Sequence, residues 1–299
     1  MTNISQIIDP FERYIAFIVE RNAIYHRKKA GDPWPWTQNE ILQRYRFTNV
    51  YREIDKVSIH YQKTIRNRYG EDSIVLPGTV LYRWFNRIET CDALFNQLDL
   101  NGNRSPFEWY MEDNNLSILQ DTIERSPPPH VTGAYIINGK PGYTKGDGVL
   151  LYFHDWCQKP WKSQWEKWAA SPPSLQRVYE WLREDGTGLG SFMTAQLVAD
   201  LKYLPSMMNA SDWWTWAAPG PGSQRGLNLV LGRPIKQSWN TAEWQEEIQK
   251  LRVRENAMLE PLGLGPFHAQ DTQNHCCEYS KFCKVMLDQG RPRQVYHAS

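Results

Sequence analysis

The sequence predicts an all-α, mostly helical protein of one domain, broken by a small irregular or β-hairpin insertion. Three observations lead there. Apolar residues recur at helical spacing through most of the 299 residues. Strand-like Val, Ile and Tyr gather in one glycine-bearing stretch, 131–151. Two amphipathic runs flank Asp185-Gly186-Thr187-Gly188-Leu189-Gly190-Ser191, which reads as a helix-hairpin-helix. Its glycines let the backbone come close to another chain, and the helix that follows aims unpaired N–H groups at an anion.

Residues 6–30 form the first expected helix, with Ile7, Ile8, Phe11, Tyr14, Ile15, Phe17 and Ile18 apolar and Arg27-Lys28-Lys29 as a basic tail. Gly31-Asp32-Pro33-Trp34-Pro35-Trp36 stops it. Thr37 is then placed to cap the next helix in a capping box with Glu40. Helical patterns continue over 48–69 and 78–97, and Ser105-Pro106 and Ser126-Pro127-Pro128-Pro129 punctuate the chain. Residues 131–151 are expected to form a loop or hairpin excursion. Helices resume over 162–170, 174–184 and 191–203. Pro219-Gly220-Pro221-Gly222 reads as a loop, Arg225 enters a helix after it, and further helices lie near 240–257 and 268–288.

Composition narrows the class. Apolar residues at 41% and charged residues at 22% describe a globular protein rather than a disordered one. Fourteen tryptophans exceed ordinary need; most are expected as core fillers, some as pocket linings or stacking surfaces. Net charge is +1, but residues 21–70 carry eleven Lys/Arg against four Asp/Glu, and 71–128 carry four against ten. Such a chain either presents one basic face to phosphates or carries ordinary solvated helix faces. No apolar run approaches the roughly 20 residues of a membrane span, and no signal-peptide pattern appears. Five cysteines form no even framework, so a reducing cytoplasm is expected. Cys276 and Cys283 have the spacing that opens an iron–sulfur loop, but two further cysteines do not follow. Neither a metal nor a cofactor is expected.

Four stretches carry candidate chemistry. In Phe47–Lys56, Arg52, Asp55 and Lys56 fall within one expected helical turn, which composition alone reads as an ion-paired helix surface of small energetic value. In Leu81–Thr90, Arg83 shares a face with Asn86; arginine suits a bidentate phosphate contact, asparagine a base edge, and a polar stripe on a buried helix is the plainer alternative. Ala217–Leu227 interleaves glycine with proline, a rigid loop whose amides suit an anion nest, and delivers Arg225. In Asp271–Lys281, Asn274, Cys277, Glu278 and Lys281 lie at i, i+3, i+4 and i+7. A carboxylate, an ammonium and a thiol on one helix face suit acid/base work, although a Glu–Lys pair and a small core cysteine explain the same residues.

FTNVYREIDKV at 47–57, LYRWFNRIET at 81–90, GLGSFMTAQLVADLKY at 188–203, PGPGSQRGL at 219–227 and DTQNHCCEYSKF at 271–282 occur in one order along most of the chain. Together they resemble the alpha-glutamyl/putrescinyl-thymine pyrophosphorylase group, also described as the helical domain of 5-hydroxymethyluracil DNA kinases, linked to thymine hypermodification in bacteriophage DNA.

The resemblance implies a helix-hairpin-helix DNA-glycosylase-like fold. One lobe would combine the N-terminal helices with the C-terminal helix; the other would hold about 155–260 with the hairpin. It also implies an amino acid (or amine):DNA transferase that replaces the phosphate or pyrophosphate of phosphorylated 5-hydroxymethyluracil in double-stranded DNA. The partners would then be that DNA, a free amino acid or amine, and a separate 5-hydroxymethyluracil DNA kinase, all in the infected bacterial cytoplasm. The chain contains no Gly-x4-Gly-Lys-Ser/Thr loop, so the kinase step is not expected of it. Lyase chemistry is not expected either, because Phe192 stands where such glycosylases carry lysine, and Gly220, about where they carry the catalytic aspartate, argues against simple glycosidic cleavage. Arg83 and Arg225 are assigned to the leaving phosphate and Arg52 to a phosphate or carboxylate. Asn49 or Asn86 would meet the uracil edge. Asp55, Asp271 or Glu278 would deprotonate the incoming ammonium, Lys281 would bind an anion, and Cys277 would add transiently to the ring. Gly220 and Gly222 would shape the substrate site, and Gly188, Gly190 and Ser191 would hold a DNA phosphate. A glycosylase for a modified pyrimidine and a non-catalytic reader of modified DNA are the alternatives.

Overall fold

The computed structural model describes residues 3–99, 102–133, 139–184, 188–292 and 294–296. The chain is all-α: among the described residues there is no strand, and one isolated antiparallel bridge joins Tyr45 to Val295. The helices, in order, are α1 (Pro10–Ala30), α2 (Glu40–Arg44), α3 (Lys56–Tyr61), α4 (Asn67–Tyr69), α5 (Val75–Phe85), α6 (Ile88–Phe95), α7 (Pro106–Asp113), α8 (Leu116–Arg125), α9 (Lys145–Cys157), α10 (Trp161–Ala170), α11 (Leu175–Arg183), α12 (Ser191–Leu201), α13 (Pro221–Val230), α14 (Thr241–Leu259) and α15 (Ala269–Met286). A single π turn, Gln62–Arg66, links α3 to α4. Among the described residues no helix is long and apolar enough to cross a membrane.

Several boundaries differ from the sequence expectation for local reasons. α1 starts at Pro10 because Asp9 accepts the Glu12 N–H and proline suits the first turn. Asn39, not Thr37, caps α2: its side chain accepts the N–H groups of Ile41 and Leu42, since Glu40 is the first helical residue. The helix expected over 48–69 begins only at Lys56. Ahead of it, Asp55 accepts the Asn49 N–H at 3.2 Å and the Asn49 amide donates to Ile54 O at 3.3 Å, closing a compact loop in place of the first helical turns. Within that loop Arg52–Ile54 make a single 3-10 turn closed by Asp55, while Lys56 begins α3, so Arg52 and Lys56 fall in separate elements. The run over 78–97 divides at Asn86, whose left-handed conformation (φ 45°) ends α5. α7 and α8 fill the stretch read only as punctuation; Ser105 and Glu108 build a capping box for α7. Lys145–Cys157, partly assigned to the 131–151 excursion, is helical and capped by Thr144, while residues 134–138 lie outside the described residues.

The chain forms two compact units, residues 1–55 with 214–299 and residues 56–213. In the first, α1 lays Tyr14, Phe17 and Ile18 against Tyr279 and Phe282 of α15, and Trp244, Ile248 and Leu251 of α14 join the same core. α13 and α15 pack backbone against backbone: a Cβ built on Gly226 would fall onto the carbonyl group of Cys276. In the second unit every residue of α5 is buried. Its Arg83 pairs with Asp200 of α12 in the core.

Because Gly226 faces main chain rather than a flexible side chain, Gly226→Ala should destabilise the first unit by about 3 kcal/mol or more. A thermal melt should show Tm falling by roughly 6–12 °C; an unchanged Tm would contradict the close α13–α15 approach.

Candidate functional site

The first unit brings α1, the 47–55 loop, α13 and α15 together around one set of charges. α15 presents Asn274, Cys277, Glu278 and Lys281 along a single face, as their spacing requires. Arg21 of α1 enters this group at 4% exposure. Its Nε and Nη2 donate to Thr48 O, and Nη2 reaches Thr48 Oγ1 at 3.2 Å and Asn49 O at 3.1 Å. Its buried Nη1 has no hydrogen-bond partner. Glu278, at 3% exposure, accepts the Thr48 N–H at 3.3 Å through Oε2 and the Lys281 ammonium through Oε1. Asn274 Nδ2 donates to Thr48 Oγ1 at 3.1 Å. Thr48 is thus held by Arg21, Asn274 and Glu278 at once.

α13 closes another side. Gly220 caps it: its N–H donates to Ser223 Oγ at 3.1 Å. Gly222 lies so near Cys277 that an added Cβ would sit 2.5 Å from Sγ. One turn on, Arg225 has a buried Nε without a partner. Arg21, Arg52, Arg225 and Lys281 set four cations against the two carboxylates of Asp55 and Glu278, an imbalance suited to an anionic substrate group.

The titration shifts follow from burial and these neighbours. Burial lowers the Arg21 pKa, and the Glu278 and Asp55 carboxylates oppose it. Burial raises Asp55, against the Asn49 N–H bond and the Arg52 charge. Burial and Glu278 raise the Cys277 thiol, outweighing Lys281, Arg225 and Arg21. Burial pulls Lys281 down, but Glu278 and Cys277 outweigh it, so the ammonium stays charged. A protonated thiol beside a retained ammonium is a poor resting nucleophile.

Behind the loop runs a fully buried chain of polar groups. Tyr14 OH donates to Glu255 at 3.2 Å, Glu255 meets His275 Nδ1 at 2.5 Å, and His275 Nε2 donates to Val50 O at 2.8 Å. Arg21, Thr48, His275 and Glu255 were not singled out from sequence. Arg21 had a readable signal, a charge seven residues after Tyr14 on the apolar face of α1. Glu255 had none.

The remaining assigned residues lie elsewhere. Asp271 caps α15 in a reciprocal pair with His268 and is buried. In the second unit Arg83 is 2% exposed; its guanidinium donates to both Asp200 oxygens and, at 2.8 Å, to Asn86 Oδ1. The rings of Tyr61 and Tyr82 flank it. Arg83 and Asn86 therefore serve a buried ion pair. Of the hairpin, Asp185, Gly186 and Thr187 lie outside the described residues. Gly188 takes φ +83° with no space for a side chain, since a Cβ would press on the Tyr152 ring at 3.0 Å. Gly190 opens α12 with free space around it, and Ser191 is exposed. Among the described residues no group of three or more His, Cys, Asp or Glu side chains is placed to hold a metal ion.

The family described as the 5-hmdU DNA kinase helical domain matches residues 9–291. A 5-hmdU DNA kinase of Bacillus phage SP10 is 37% identical over 89 residues, covering 28% of this chain and 14% of that protein. The chain thus corresponds to a small part of that relative's length. No solved structure matches.

Two outcomes test this geometry. The raised thiol pKa should make iodoacetamide label Cys277 more slowly than a free cysteine at mildly alkaline pH, read by peptide mass spectrometry; equal rates would refute it. Arg83→Met strands Asp200 in the core and should cost about 3–5 kcal/mol in chemical denaturation. A variant of native stability would show that the pair is dispensable to the fold.

Proposed function

This chain belongs to the 5-hmdU DNA kinase helical-domain family, and from that premise we propose that it is an amino acid (or amine):DNA transferase of phage thymine hypermodification, acting on phosphorylated 5-hydroxymethyluracil in double-stranded DNA. The observation that supports this most is the gathering of Arg21, Arg225, Lys281 and the Glu278 carboxylate around Cys277, with one buried N–H group of each arginine left unpartnered. Donors of that kind are set for an oxyanion that arrives with substrate.

The chemistry assigns each group a task. The uracil is flipped from the duplex so that its 5-methylene carbon reaches the site. Electron donation from the ring forms the exocyclic methylene as the C–O bond breaks and its electron pair leaves on the phosphate, whose growing charge Arg225 and Arg21 receive. The exocyclic methylene that forms is attacked by the nitrogen of a neutral amine. Glu278 takes the proton that the ammonium must lose, with Asp55 as the second carboxylate, and Arg52 and Lys281 hold anionic groups of the two substrates. This route needs no thiolate, in keeping with the raised Cys277 pKa. Gly188, Gly190 and Ser191 hold a backbone phosphate at the start of α12.

The deciding experiment is nucleoside mass spectrometry of DNA carrying 5-phosphomethyluracil, or its pyrophosphate, after incubation with the protein and pooled amino acids and polyamines. A mass gain matching one nucleophile, with release of phosphate or pyrophosphate, is expected. Free base with an abasic site would replace this reading by glycosylase chemistry, and unchanged nucleosides from both substrates would sink it. Arg225→Ala and Glu278→Gln should each slow turnover by about 10²-fold. Cys277→Ser should stay within about threefold of the parent protein, since a protonated thiol contributes little.

A further inference from the structure

A second concentration of charge in the first unit takes no part in the site above. The chain leaving α2 runs beside the C-terminal residues: Arg46 N–H donates to Gln294 O at 3.1 Å and Tyr296 N–H to Arg44 O at 2.9 Å. Arg44 and Arg46 are both exposed, while Tyr45 between them is buried. This pairing carries Tyr296 to the end of α1. There Lys28 Nζ lies 5.0 Å from the Tyr296 ring centre and 5.1 Å from that of Trp36. The Arg46 guanidinium lies 5.7 Å from the same Tyr296 ring, and the two rings meet edge to face at 5.3 Å.

Two cations are thus gathered on one tyrosine, with Lys29 and Arg44 nearby, and among the described residues none of these four pairs with a carboxylate. Burial, then the Arg46 charge, lowers the Lys28 pKa. Like charges held together by aromatic rings, without an acid between them, match a polyanion that supplies the countercharge. Position selects which one. Lys28 follows Arg21 by seven residues on α1, about 10 Å along the same face, and Arg46 precedes Thr48 by two in the loop that Arg21 holds.

We infer that Lys28, Arg44 and Arg46, set around Trp36 and Tyr296, bind the DNA backbone phosphates beside the nucleotide held at the Arg21–Glu278 site. This surface rests on the reading that DNA is the substrate, and it contributes affinity and register rather than chemistry.

The test is fluorescence anisotropy of the full chain with a 5-hydroxymethyluracil duplex across a range of sodium chloride concentrations. K28Q/R44Q/R46Q should flatten the slope of log K against log salt by about 2–3, near 0.9 for each phosphate no longer neutralised, and weaken low-salt binding at least about tenfold. R44K/R46K should keep the slope. K162Q/K167Q/R177Q removes three exposed cations of the other unit and should also keep it. If the triple variant loses helicity, K28Q alone should flatten the slope by about 1. An unchanged slope, equal flattening in the control, or wild-type binding to phosphatidylserine vesicles but not to duplex would overturn the surface. A flattened slope in the patch variant, with no product from phosphorylated duplex by the wild type, would leave the surface standing and remove the transferase.

Discussion

A guanidinium taken out of water must be compensated where it lies, and in the first unit that constraint falls on Arg21. Its charge is almost wholly buried, so main-chain oxygens of Thr48 and Asn49 turn toward it and the carboxylates of Glu278 and Asp55 stand near it. The loop that supplies those oxygens cannot also be the start of a helix. Its shape, the line of charged groups on α15 and the unpartnered N–H of Arg21 all follow from accommodating that one side chain. Burying a charge among such groups seldom adds much net stability, because desolvation offsets the attraction. Its use here is to hold polar atoms in position.

Two other features make that arrangement possible. Gly222 and Gly226 let α13 and α15 approach until main chain meets side chain and main chain, which brings Arg225 to the same group as Cys277. The Tyr14–Glu255–His275 chain supports the loop from behind by binding Val50 O, entirely shielded from solvent. In a low-dielectric interior such hydrogen bonds are strong when every member is satisfied and costly when one is not. The loop is therefore gripped from both sides, by Arg21 on one and His275 on the other.

The second unit uses the same physics without an open partner. Arg83 is as buried as Arg21, but Asp200 and Asn86 meet its donors. Two arginines that look alike as sequence signals thus have different surroundings, one engaged by a carboxylate within the core and the other leaving a donor unmatched. Asp271 differs from Glu278 in the same way: one completes a helix cap, the other meets an ammonium and a loop amide.

By itself the sequence determined what depends on neighbours along the chain. Helical spacing established the all-α class and most helices from α10 onward, the i, i+3, i+4, i+7 pattern placed Asn274, Cys277, Glu278 and Lys281 on one face, and five ordered motifs pointed to the family. Its errors arose where a side chain competed with the helix for backbone partners. Asn49 and Asp55 close a loop on each other, Asn86 ends α5 in a left-handed turn, and Asn39 takes the cap expected of Thr37. Tertiary structure alone decided which charges meet. Arg21 with Glu278, Glu255 with His275 and Arg83 with Asp200 join residues more than a hundred positions apart or on different helices, and burial, which no local pattern encodes, decides whether an arginine is a strut or an open donor.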